Sequence, residues 1–186
     1  MIKISRTLLA FLLLPLLLSS SIAQSTSRKS RRASATTGDQ PVVITSGKIQ
    51  ITAPAGWKIA TDLNDAADLQ AVDVKNKLYL IVLTDNKIDY SDMTLGKHSK
   101  TTLDILIKPL TSMTMGGPTN LRVNGNPALQ YEVRGTIQGI NVVYLHTTVE
   151  TPAHFQQIVA WMAVSGYESN KVVFQRVIRS FKEIGR

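Results

Sequence analysis

Leu78-Tyr79-Leu80-Ile81-Val82-Leu83 and Ile158-Val159-Ala160-Trp161-Met162-Ala163-Val164 decide the fold. Both runs are apolar at every position, so each reads as a strand buried on both faces; the first is too short for a helix of its own and rich in strand formers. A sheet that holds two such strands needs cover above and below. Two helical patterns can supply it. One starts from Asp92 or Thr94 as cap and places Leu95, Leu103, Leu106, Ile107 and Leu110 at helical spacing. Pro109 ends or kinks it near Lys108. The other starts at Ser165, which has capping-box spacing to Glu168. It turns Val173, Val177, Ile178 and Phe181 inward and Lys171, Arg179 and Lys182 outward. The expected fold is α+β: a three-layer α/β/α sandwich around a mainly antiparallel sheet.

Shorter signals fill in the rest. Ile49 and Ile51 alternate with polar neighbours in a short strand, which Pro54-Ala55-Gly56 ends before an extended piece at Trp57 and Ile59. Residues 69–74 read as a strand and Lys75-Asn76-Lys77 as a turn. Gly116-Gly117-Pro118 closes the first helical segment. Leu121 and Val123 lead into Asn124-Gly125, a strong hairpin signal because a type I′ turn needs positive φ at both central positions. In residues 128–136, Leu129, Tyr131 and Val133 face one way and Gln130, Glu132 and Arg134 the other. Gln138-Gly139 turns into a strand over 140–149, and Thr151-Pro152-Ala153 into the last strand over 155–164.

The first forty residues follow another logic. Lys3 and Arg6 precede an apolar run over residues 8–18, and Ala23 ends a stretch of small residues, the pattern of a secretory signal cleaved after Ala23. Eleven residues fall well short of the roughly 20 that a spanning helix needs. Residues 24–40 carry no apolar side chain larger than alanine and read as a disordered basic linker, with Arg28, Lys29, Arg31 and Arg32 available to an anionic surface. Residues 41–186 form the folded domain. Net charge is +8, yet residues 41–186 hold fifteen basic and twelve acidic side chains, a balance of +3. The basic footprint of a nucleic-acid binder is therefore missing from the domain. With no cysteine, disulfides, thiolate chemistry and a lipid-bearing cysteine anchor are excluded.

Several stretches resemble PsbP-like domains: Ile49-x-Ile51-x-Ala53-Pro54-x-Gly56-Trp57, Leu69-Gln70-Ala71 followed by Leu78-Tyr79-Leu80-Ile81-Val82, Val123-Asn124-Gly125-Asn126-Pro127-Ala128, and Ser180-Phe181-Lys182. The flavour is that of the bacterial DcrB-type, exported branch, and the likeness covers residues 42–184. It implies an α/β/α sandwich shared with photosystem II extrinsic proteins, a Ran-binding import factor and bacterial envelope proteins. Such proteins bind partners or assist assembly, and no shared catalytic residue carries over.

The chemical inventory is thin. His98 reads as a polar-face helix residue. His146, Glu150 and His154 flank the Pro152 turn, but strand spacing works against their convergence on a metal. Asp62, Asn64 and Asp73 echo a calcium loop, but Ala66 and Ala67 stand where a ligand and the turn glycine belong. Ser165-Gly166 lacks the preceding glycine of a nucleophile elbow. No residue is assigned to catalysis, cofactor or metal. Tyr131, Tyr144 and His146 are the candidate ligand or partner contacts. The expected function is a non-catalytic, extracytoplasmic binding or accessory role toward an envelope protein or a hydrophobic small molecule, with no nucleic acid and no stable membrane anchor. The alternative is a small hydrolase or metal-dependent enzyme built on His146, Glu150 or His154.

Overall fold

The computed structural model describes residues 40–90 and 92–184. The signal-peptide reading and nearly all of the linker reading lie outside the described residues. Ten strands and two α-helices follow one another as β1 (Val42–Ser46), β2 (Ile49–Ala53), β3 (Trp57–Ile59), β4 (Leu69–Asp73), β5 (Leu78–Asn86), α1 (Leu95–Ile107), β6 (Thr111–Val123), β7 (Asn126–Ile137), β8 (Ile140–Glu150), β9 (His154–Ala163), α2 (Val164–Arg179) and β10 (Lys182–Glu183). Strands β3–β9 form an antiparallel sheet ordered β3-β4-β5-β9-β8-β7-β6, and β1-β2-β10 form a small second sheet. The domain is α+β.

The two apolar runs are β5 and β9, neighbours at the sheet's centre, with Tyr79 opposite Trp161 and Val82 opposite Ile158. Their side chains divide between two cores as a period of two demands. Leu78, Leu80 and Val82 join Ile158, Ala160 and Met162 in a core with β2 and the α2 residues Tyr167, Phe174, Val177 and Ile178. Ile81, Val159 and Trp161 join Tyr131, Val133, Tyr144 and the α1 residue Leu103 in the other. Fully burying one such aliphatic side chain is worth about 1.5–3 kcal/mol, which is why residues 78–83 of β5 and 158–162 of β9 carry no polar face.

Local signals act as the sequence predicts at several joints. Thr94 caps α1 by accepting from the Lys97 N–H, and the helix stops at Lys108, beside Pro109. Asn124 and Gly125 take φ of 48° and 83° in the β6–β7 turn. Two expectations change, and one strand is added. Gly116-Gly117-Pro118 does not close a segment: β6 runs straight through it, absorbing the irregularity as a register shift opposite β7. Ser165 and Glu168 make no capping box, because α2 already begins at Val164 with Ala163 at the cap, and Glu168 bonds Arg134 instead. The strand at β1 carries no strong pattern of its own and is held by pairing along β2.

Candidate functional site

Tyr131, Tyr144 and His146, the residues singled out in the sequence, lie together on the sheet face beneath α1, all buried. His146 Nε2 sits 3.0 Å from Thr102 Oγ1 of α1. Burial, reinforced by the nearby His98, pushes the His146 imidazole down to about 4, so it is neutral near pH 7. Burial likewise pushes the Tyr144 phenol up to about 12. His98 is not on a polar face. It is 2% exposed, its ring stacks on Phe155 at 4.5 Å, and its Nε2 lies 3.0 Å from Asp85 Oδ2. The reason is a partner invisible in helical spacing: Asp85 at the end of β5. Burial alone would raise the Asp85 carboxyl, but hydrogen bonds from His98, Gln157 and Tyr90 outweigh it and hold it below the usual range.

The structure keeps the metal candidates apart. His146 points toward α1, whereas His154 lies on the opposite face, where its Nδ1 is 2.9 Å from Glu183 Oε1. Glu150 pairs with Lys87 at 2.6 Å. Asn64 accepts from the Ala66 N–H and Asp73 from Asn76, so both serve turns. Among the described residues no three His, Asp or Glu side chains are grouped to hold a metal.

The face under α2 offers a different site. A cleft of about 590 Å³ opens between α2 and the β6–β7 edge, lined by Thr114, Thr119, Leu121, Gln130, Glu132, Arg134, Lys171, Gln175 and Arg179 among others. Period-two alternation on β7 aims Gln130, Glu132 and Arg134 into it. Lys171, Gln175 and Arg179 stand at i, i+4 and i+8, one stripe along α2. Glu132 is the hub: it accepts from Tyr167 Oη at 2.7 Å, Lys171 Nζ at 3.0 Å and the Arg134 guanidinium at 2.9 and 3.1 Å. Burial alone would raise its carboxyl, but these donors hold it below its ordinary value. Arg134 also reaches Glu168 at 2.8 Å. Gln175 donates to Gln130, which donates to Thr147, so the floor is pre-organised. Among the described residues Arg179 has no ion-pair partner. Three cations thus face one lining carboxylate, an arrangement suited to holding anionic or polar groups rather than to acid–base chemistry.

A second cleft of about 500 Å³ lies where the small sheet meets β5 and β9. There Glu183 Oε1 accepts from Thr151 and Gln156 and meets His154, clamping β10 to β9. That cluster is accounted for by joining two sheets.

Sequence reasoning passed over the α2-side cleft although its signals were present. The outward run of Gln130, Glu132 and Arg134 and the outward Lys171 and Arg179 were each visible, but only the fold sets them facing one another.

No family model and no curated protein matches the chain. Solved structures do. LpqN, described as involved in cell envelope biogenesis of Mycobacterium tuberculosis, aligns with a TM-score of 0.54 at 13% identity, over 78% of this chain and 91% of its own. Cyanobacterial PsbP (CyanoP) of Synechocystis aligns with a TM-score of 0.58 at 14% identity, over 83% and 98%. The Saccharomyces cerevisiae Ran-binding protein Mog1p aligns with a TM-score of 0.54 at 16% identity, over 78% and 95%. The chain therefore has the PsbP-like fold, as the motifs in its sequence imply. Among the described residues no helix is long and apolar enough to cross a membrane.

Proposed function

We propose that this chain is a non-catalytic binding or accessory protein of the cell envelope, acting outside the cytoplasm and engaging a protein partner through the cleft between α2 and the β6–β7 edge. In this reading, residues 1–23 export it, residues 24–40 tether it, and residues 41–186 fold as a three-layer α/β/α sandwich that displays the cleft. One observation carries the proposal: an open, pre-organised polar cleft whose three cations face a single lining carboxylate. The envelope role of LpqN and the protein-binding role of Mog1p agree with it as analogies of fold. The polar lining suits a polypeptide better than a hydrophobic small molecule. Tyr131, Tyr144 and His146 would contact a ligand only with α1 displaced, whereas the cleft is open as it stands.

A photo-crosslinking amino acid placed at Thr119, inside the cleft, tests the proposal in cells that make the full chain. The expected result is a discrete adduct with an envelope protein, absent when the same group replaces Val74 on the distant β4–β5 turn. No adduct from position 119, or the same adduct from both positions, overturns it.

A further inference from the structure

We infer that β6 takes up an extended, acidic segment of its partner as an added strand, with alternate carboxylates of that segment meeting Lys171 and Arg179. The inference rests on the binding reading above and names the chemistry of the partner. It begins with an open edge. β6 is the outermost strand of the seven-stranded sheet and has no neighbour on its outer side among the described residues. All ten positions from Thr111 to Asn120 are exposed. An exposed edge presents unpaired N–H and C=O groups, and edges are commonly guarded by charge, by proline or by bulges. Residues 111–121 contain no charged side chain at all. The opposite edge is only the three-residue β3.

The guarding that β6 does have is local, and it marks where docking can occur. Two register shifts, between Thr111 and Thr114 and between Gly116 and Thr119, set three steps of β6 against two of β7, and Pro118 lies within the second. Beyond them residues 119–123 pair with β7 in unbroken register, from Thr119 opposite Gln130 to Val123 opposite Asn126. Five residues are a typical strand length. This unbroken stretch borders the cleft, which Thr119 and Leu121 help to line. A strand added outside it turns every second side chain toward the α2 face. There the cations of the Lys171–Gln175–Arg179 stripe wait, and Arg179 is unpaired among the described residues.

Charge decides the occupant. A second copy of the chain would bring Arg122 and the cleft cations against their own kind. Residues 24–40 of the same chain carry Arg28, Lys29, Arg31 and Arg32, again the same sign. Like charges across an interface cost affinity and opposite charges speed encounter. An acidic segment of another protein meets both conditions, with main-chain hydrogen bonds supplying affinity and alternate side chains supplying specificity.

The test uses the full chain and a ten-residue capped peptide alternating Glu and Val, followed by fluorescence anisotropy at low salt. The Glu–Val peptide is expected to bind and its Lys–Val counterpart not to. Binding should weaken about tenfold in the Lys171→Glu, Arg179→Glu double variant and again in 0.5 M salt. Two further peptides, N-methylated on either alternate set of residues, keep every charge but block one edge of the added strand. One set should abolish binding and the other leave it within about threefold, because only one edge of a strand faces β6. This arm needs no protein variant. Equal binding by both N-methylated peptides, indifference to the charge reversal, or no binding of the Glu–Val peptide overturns the inference. An adduct from Thr119 in cells alongside any of these results leaves the binding proposal standing and removes only this account of the partner.

Discussion

The two faces of the large sheet are built from the same strands yet treat polar side chains in opposite ways. Beneath α1, His98, Ser99, Thr102, His146, Thr148 and Gln157 are each no more than 5% exposed, and His98 Nδ1, Ser99 Oγ, His146 Nδ1 and Thr148 Oγ1 have no protein hydrogen-bond partner. Beneath α2, Glu132, Arg134 and Lys171 are part-exposed and mutually bonded. A buried polar group without a partner is costly to change or to charge, whereas exposed ion pairs contribute little to stability. Both faces carry a hydrophobic core, but the polar groups beneath α1 are costly to disturb, whereas the ion-paired groups lining the α2 cleft can change partners at little cost.

The sharpest break of that contrast is Trp161→Ala. Trp161 is 1% exposed and stacks against Tyr79 at 5.3 Å and Tyr144 at 6.2 Å on the α1 face. Urea unfolding should show a loss of about 3–5 kcal/mol. A loss below about 1 kcal/mol would remove the α1 face from its structural role.

Acid comes next. His146 binds its proton less readily folded than unfolded, so its contribution is complete above the unfolded value of about 6.5 and is lost as pH falls toward the folded value of about 4. Denaturant titrations at pH 7 and pH 5 should differ by about 2 kcal/mol, with the acid side weaker. His146→Gln should flatten that difference. An unchanged pH dependence would mean that the imidazole does not govern it. Over this window Glu132 and Asp85, both held below their ordinary values, stay ionised.

At the cleft, Gly117→Ala should cost about 1–2 kcal/mol, since φ there is +109° and a Cβ would stand 2.8 Å from the Gln130 carbonyl oxygen. Amide exchange should show the loss confined to the β6–β7 pairing. Smallest of all, Arg134→Gln should shift stability by less than about 1 kcal/mol, because its side chain is 37% exposed. A loss beyond about 2 kcal/mol would erase the distinction between the faces.

What was legible in the sequence follows from the range of each interaction. β5 and β9 announce themselves because burial on both faces leaves residues 78–83 and 158–162 without a polar position. Asn124-Gly125 and Pro109 do so because they restrict backbone angles within a few residues. His98 was misplaced because its partner, Asp85, lies on another element, thirteen residues earlier. The path of β6 through Gly116-Gly117-Pro118 was hidden because the pairing that keeps it extended comes from β7. The cleft was hidden for the same reason: its cations sit on two surfaces, each of which reads as ordinary solvated helix or strand. The candidate contacts Tyr131, Tyr144 and His146 share one sheet face, as alternation implies, but nothing in their own segments tells that α1 covers them.

Ser180 closes the small sheet across 128 residues: its hydroxyl accepts from the Thr52 N–H at 2.8 Å and lies 2.9 Å from the Thr52 carbonyl. Beside it, Phe181 is wholly inside the core, Lys182 pairs with Gln50, and the Ile184 N–H reaches the Lys48 carbonyl at 2.8 Å. The first hairpin thus waits for residues 180–184 before it is sealed. A nascent chain short of them has a gap where Phe181 belongs, and closing so long a loop carries an entropic cost. Residues 180–184 are the latch of the first hairpin.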